Sequence, residues 1–153
     1  MSWGRAVTAA RQVREAMRLA LLLDRRYAPY QKWLGTAFAG IAGIGDLHAS
    51  LATVVSATDP RTRESALAAA YVMLADRHNA TGVAAEVPAT TSPYHSRPAQ
   101  VLMADRFTQA CLETVHDEQL LSLPLIGAVD QHIDSTDVLG EPRLFRSTAV
   151  LYS

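Results

Sequence analysis

Asp24-Arg25-Arg26-Tyr27-Ala28-Pro29-Tyr30-Gln31-Lys32-Trp33-Leu34-Gly35-Thr36-Ala37-Phe38 gathers three cations and four large aromatics around one proline. Pro29 fixes its own φ and pushes Ala28 out of the α region, so a helix arriving from the N-terminal side must turn near Arg26. Pro29 then suits the first position of a new helix. From Tyr30 the apolar residues recur as Tyr30, Trp33, Leu34, Ala37, Phe38 and Ile41, which is helical spacing. The stretch therefore reads as a helix–helix corner, and an all-α fold follows if the flanking segments are helical too. Two uses of the corner are open. Tyr and Trp can anchor it while the cations snorkel outward, or Arg25, Arg26 and Lys32 can contact an anionic substrate.

The flanks agree. Residues 2–24 place Ala6, Ala10, Val13, Met17, Ala20 and Leu21 on one stripe, with Arg11, Arg14, Arg18 and Arg25 on another. Glu15 is spaced to pair with Arg11 and Arg18. The corner helix is expected from Pro29 to about Ile41, where Gly40, Gly43 and Gly45 break it. Asp46 is placed to cap a third helix with Leu47, Leu51, Val54 and Val55 inward. Asp59-Pro60 marks a restart, with Asp59 as N-cap and Pro60 as first residue. The fourth helix carries Leu67, Tyr71, Leu74 and His78 on one face and stops at Gly82. Residues 83–96 form a loop. Arg97-Pro98 opens a fifth helix to about Leu120, with Met103, Phe107, Ala110, Cys111 and Val115 buried. An acid-rich segment and a short last helix, about 142–152, complete the chain. No hairpin signal or alternating strand pattern is present. The expectation is a single helical domain, 1–153: an all-α bundle of about five long helices with an irregular C-terminal segment.

Bulk properties narrow the function. The chain has 153 residues, 49% hydrophobic and 19% charged, which suits a globular core. A net charge of −1 gives no global field toward nucleic acid, and the basic face of the first helix reads better as a solvated or interface face. Lys32 is the only lysine. One cysteine excludes an intrachain disulfide. The Leu19–Leu23 run is too short to span a bilayer, so a cytoplasmic protein is expected. Cys111 falls in an apolar stripe and reads as an inert core thiol. No nucleophile elbow and no phosphate-binding glycine loop is present. His132 and Asp134 lack zinc-ligand spacing, and Asp130, Asp134 and Asp137 do not fit a calcium loop. No histidine has the upstream Arg that a helical RNase of the nucleotide-binding-associated bundle type uses. Polar clusters at expected helix ends are the remaining site candidates.

Tyr27-Ala-Pro-Tyr30-Gln-Lys32-Trp33 resembles a motif of an uncharacterised bacterial domain family, in which a nucleotidyltransferase-like domain precedes a helical domain. Further motifs similar to that family follow in order: His78-Asn79, Pro93-Tyr94 with Arg97-Pro98, Arg106-Phe107, and Gly127-Ala-Val-Asp130-Gln131-His-Ile-Asp134-Ser-Thr-Asp137-Val-Leu139. The resemblance implies the helical half alone, either the C-terminal part of a larger protein or one subunit of a split pair. Nucleotidyltransferases of that fold hold two metal ions on Asp-x-Asp after a Gly-Ser turn, and this sequence has no such pattern. It therefore implies no catalytic residue in this chain, no cofactor of its own, and Mg with a nucleotide only alongside a catalytic domain. It further implies that Arg25, Arg26, Tyr30, Lys32, Trp33, His78, Asn79, Arg97, Asp130, Gln131, Asp134 and Asp137 line a shared substrate cleft. The implied partner is a nucleotidyltransferase-like domain in cis or in trans. The alternative is a free-standing interaction protein that dimerises through its Ala- and Leu-rich first helix.

Overall fold

The α1 helix, Trp3–Leu23, buries Ala9, Val13, Ala16, Ala20 and Leu21 in the computed structural model, which describes residues 3–95, 99–123 and 143. The buried positions recur at four- and three-residue steps, the signature of one helical face. Three alanines on that face let neighbouring helices approach closely. The stripe is rotated from the expected one: Ala9 and Ala16 are buried, while Ala10 is exposed and Ala6 half-buried. Glu15 pairs with Arg14 at 2.8 Å and with Arg18 at 3.7 Å, so Arg14 takes the place expected for Arg11.

Hydrogen bonds from Arg25 N–H to the Leu22 carbonyl and from Arg26 N–H to the Leu21 carbonyl, both 2.9 Å, close α1. Arg25 sits between them at φ 58°. This is a Schellman ending with arginine at the left-handed position that glycine usually takes. The turn is thus made before Pro29. The next helix, α2, runs Gln31–Ala39, and Tyr30 precedes it with extended backbone at φ −48°, ψ 141°. Pro29 is outside the helix, contrary to expectation, because Tyr30 must be extended for its carbonyl to accept from Trp33 N–H at 2.8 Å.

Two longer helices follow, α3 (Gly45–Ser56) and α4 (Pro60–Ala80). Ile44 precedes α3, so Asp46 lies in its first turn rather than at the cap, where its charge still favours the helix N-terminus. Leu47, Leu51 and Val54 are buried; Val55, one residue round the helix, is exposed. Asp59 caps α4, its carboxylate accepting from the Thr62 N–H and hydroxyl at 2.8 Å each, and Pro60 opens the helix. These hydrogen bonds hold the Asp59 carboxyl below its ordinary range. Arg63 reaches back from α4 and donates to the Val54 carbonyl at 3.0 Å and to the Ala57 carbonyl. One cation thereby satisfies acceptors left over at the end of α3. Arg77 does the same for the α2–α3 connection, donating to the Gly43 carbonyl at 2.6 Å, where Gly43 holds φ 63°. Gly82, at φ 65°, ends α4 as expected.

The expected fifth long helix is replaced by shorter pieces. A two-residue antiparallel ladder joins β1 (Ser92–Pro93) to β2 (Gln100–Val101). Then come α5 (Asp105–Leu112) and α6 (Glu118–Leu121). Glu64 of α4 accepts from Gln100 N–H and fixes β2 against α4. Half-buried Tyr71, near Glu64, has its hydroxyl pKa pushed up, first by burial and then by that charge. Met103 takes φ 54° immediately before α5. It is exposed rather than buried, because the left-handed turn directs the chain into a new helix at that point.

The chain divides into two compact units, 1–114 and 115–153. In the first, the main core joins α1 to α4 around Phe38, Leu21, Leu47, Leu51 and Val54. A smaller core of Ala75, Val87, Phe107 and Ala110 joins the C-terminal part of α4 to the following loop and α5. In the second unit the described residues hold α6, capped by Asp117, which accepts from Gln119 N–H at 2.8 Å. The expected last helix lies outside the described residues apart from Arg143. The fold is all-α, with six helices and one minimal ladder among the described residues. None of these helices is long and apolar enough to cross a membrane.

Candidate functional site

A cavity of about 520 Å³ lies within the first unit where α1, α4 and α5 converge. That volume falls in the range of small-molecule sites, roughly 300–1,000 Å³. The end of α1 contributes Leu19, Leu22 and Leu23, and the Schellman turn adds Arg25. From α4 come Leu74, Ala75 and His78. Phe107, Thr108 and Cys111 of α5 form the facing wall. None of the lining residues among the described residues is acidic.

One polar contact crosses this wall. His78 Nε2 stands 3.3 Å from Cys111 Sγ. The Phe107 ring meets the imidazole edge-on at 5.1 Å between centroids. His78 Nδ1 is buried and has no hydrogen-bond partner among the described residues. A Cys–His contact can hold the imidazole in either tautomer: a thiol donating to Nε2 leaves the proton on Nδ1, and the reverse leaves Nδ1 an acceptor. Cys111 is half-buried and lines the cavity, which corrects its expected placement in the core.

The structure sorts the residues expected to line a cleft. Arg25 and His78 share this cavity. Asn79, adjacent to His78, points elsewhere: its amide donates to the Val87 carbonyl at 2.8 Å and accepts from Val87 N–H at 3.1 Å. Asn79 is thus a tether for the loop after α4. Arg26 pairs with Asp24 at 3.5 Å. Lys32 lies 5.6 Å from the centre of the Trp33 ring. Arg26, Tyr30, Lys32 and Trp33 do not line the cavity. Arg97, Asp130, Gln131, Asp134 and Asp137 lie outside the described residues. Arg106, from another of the motifs, donates to the Leu102 carbonyl at 2.8 Å and gathers the loop at the start of α5.

The corner forms a second feature. Tyr27 is 97% exposed, Tyr30 77% and Trp33 58%. Of the two uses left open for the corner, anchoring by Tyr and Trp from inside does not hold, since these rings are on its outside. Leu34 and Phe38 fill the interior instead. Two sets of functional candidates thus share the chain between Leu19 and Trp33, and sequence reasoning missed the cavity. Its walls come from segments far apart in sequence, His78 and Cys111 being 33 positions apart, and no motif spacing links them.

These features define a helical domain with an apolar cavity and an exposed aromatic and cationic corner. A family model described as Domain of unknown function (DUF4037) matches residues 2–34. The matched segment covers α1, the Schellman turn and the start of α2, and resembles that uncharacterised family; it does not extend to the later motifs. No curated protein and no solved structure matches the chain.

Proposed function

We propose that the chain is a non-catalytic accessory domain that packs against a nucleotidyltransferase-like domain, in cis or in trans, and supplies part of the substrate side of its cleft. The carrying observation is the corner. Three large rings lie uncovered beside Arg25, Arg26 and Lys32 on one short segment. Aromatic residues and arginine are the types enriched in protein interfaces, and exposed rings gain most from being covered. The family match covers this same segment. In this reading the partner domain holds Mg and the nucleotide, and the corner closes over the acceptor.

The test begins with the locus. A domain carrying Gly-Ser and Asp-x-Asp should be fused to this chain or encoded next to it. Its Mg-dependent nucleotidyl transfer should require this chain and fall by about tenfold with Trp33→Ala. A locus with no such domain, or transfer indifferent to the chain, removes the reading.

A second reading has its own observation. Trp3 and Val7 are one helical turn apart on α1 and both are exposed. A homodimer would cover them. Light scattering at increasing concentration should then give twice the chain mass, and Trp3→Ala with Val7→Ser should return it to monomer.

A further inference from the structure

We infer that the cavity between α1, α4 and α5 is a binding site for a small anionic amphiphile, specifically a medium-chain carboxylate. The inference is independent of any partner domain. Two observations meet at one residue.

The first is charge and polarity. The hollow is walled by leucines and Phe107, and Arg25, itself exposed, is the cation on its rim. No acid among the described residues lines it. Arg25 has no ion pair among the described residues; the neighbouring Asp24 is paired with Arg26 instead. A planar guanidinium with free donors fits a carboxylate in a bidentate pair. An aliphatic tail would then cover Leu19 and Leu22, which are otherwise open to water.

The second is backbone conformation. Arg25 occupies a left-handed position at which a side chain costs energy and glycine does not. Helix termination alone gives no reason for arginine there. Strained non-glycine residues concentrate at ligand sites, where the surrounding structure holds them in place. Met103, another left-handed non-glycine residue, lies between Leu102 and Ala104, which line the same cavity. Two of the three left-handed non-glycine residues among the described residues, Arg25 and Met103, thus belong to segments that line the hollow; the third, His95, does not.

The test uses the full chain with decanoate, and decanol as its uncharged counterpart. Calorimetric titration should give saturable one-to-one binding of decanoate, with decanol about tenfold weaker. Arg25→Gln should reduce decanoate to the affinity of decanol, and Arg25→Lys should restore part of the difference. Cys111, the single cysteine, locates the site. Bound decanoate should slow its alkylation by N-ethylmaleimide several-fold. If Cys111 is unreactive in the free chain, exposed Thr108→Cys on a Cys111→Ser background serves as the label. No saturable heat with decanoate overturns the inference. So does equal binding of the acid and the alcohol, a charge preference that survives Arg25→Gln, or saturating decanoate that leaves the label unprotected. Loss of nucleotidyl transfer with Trp33→Ala bears only on the accessory-domain reading, since Trp33 does not line the cavity.

Discussion

Asn79 and Val87 exchange two hydrogen bonds through a single carboxamide, so one side chain completes the backbone pairing of a residue eight positions away. Removing the amide leaves a part-buried N–H and carbonyl without partners. Asn79→Ala should therefore cost about 2–3 kcal/mol. Asn79→Asp should also destabilise, because a carboxylate cannot donate to the Val87 carbonyl. Denaturant titration reads both. A change in ligand affinity without loss of stability would refute the tethering role.

Arg63 joins two consecutive helices by donating to Val54 and Ala57. Arg63→Met keeps the stem and removes the donors. The expected loss is about 1–3 kcal/mol, the range for hydrogen bonds from a charged group. Arg63→Lys should recover only part, since one ammonium cannot match the guanidinium fork.

Phe38 and Trp33 share α2 and should behave oppositely. Phe38 is 0% exposed, and Phe38→Ala should cost about 3–5 kcal/mol. Trp33→Ala should change stability by less than about 0.5 kcal/mol. Similar losses for the two would mean that Trp33 is core.

Arg25→Gly relieves the left-handed turn. Against the entropy glycine adds to the unfolded chain, the net gain should be about 0.5–1 kcal/mol. A higher Tm together with weaker decanoate binding is the expected pair of outcomes. A lower Tm would show that the Arg25 side chain has structural partners.

Asp59 links stability to acid. Its carboxyl is held below the ordinary value of 3.8, chiefly by the Thr62 backbone hydrogen bond and then by the Thr62 hydroxyl. A depressed folded-state pKa means that this contribution is complete above the unfolded value. It is lost as pH falls through the folded one. The group is fully exposed, so salt should weaken the effect. Tm measured from pH 7 down to pH 2 should fall less steeply in Asp59→Asn than in wild type.

The legibility of the chain follows the range of each signal. Asp59-Pro60 and Gly82 act through their own backbone, and the structure keeps both where local chemistry puts them. The α3 and α4 stripes are long enough for periodicity to define a face. The α2 stripe is narrower than composition suggests: Leu34, Phe38 and Ile41 lie inward, and Trp33 falls one position off that line. The expected fifth helix failed because the β1–β2 ladder is too short to show alternation. The left-handed turn at Met103 also carries no residue preference that a reader could use. Of the site, Arg25 and His78 were visible as polar residues near helix ends. Their shared cavity was not, because α5 brings Cys111 and Phe107 to it from a distant segment.

The pairing of α3 with α4 also bears on how the chain acquires its structure. Residues 57–59 alone connect the two helices, and Arg63 clasps the end of the first from the start of the second. Closing so short a loop takes little entropy, and contacts of small sequence separation form fast. During synthesis this hairpin is complete once residue 80 has left the ribosome, before α5 has emerged from it. It is the natural nucleus, and Arg63→Met should slow refolding as well as weaken the folded state.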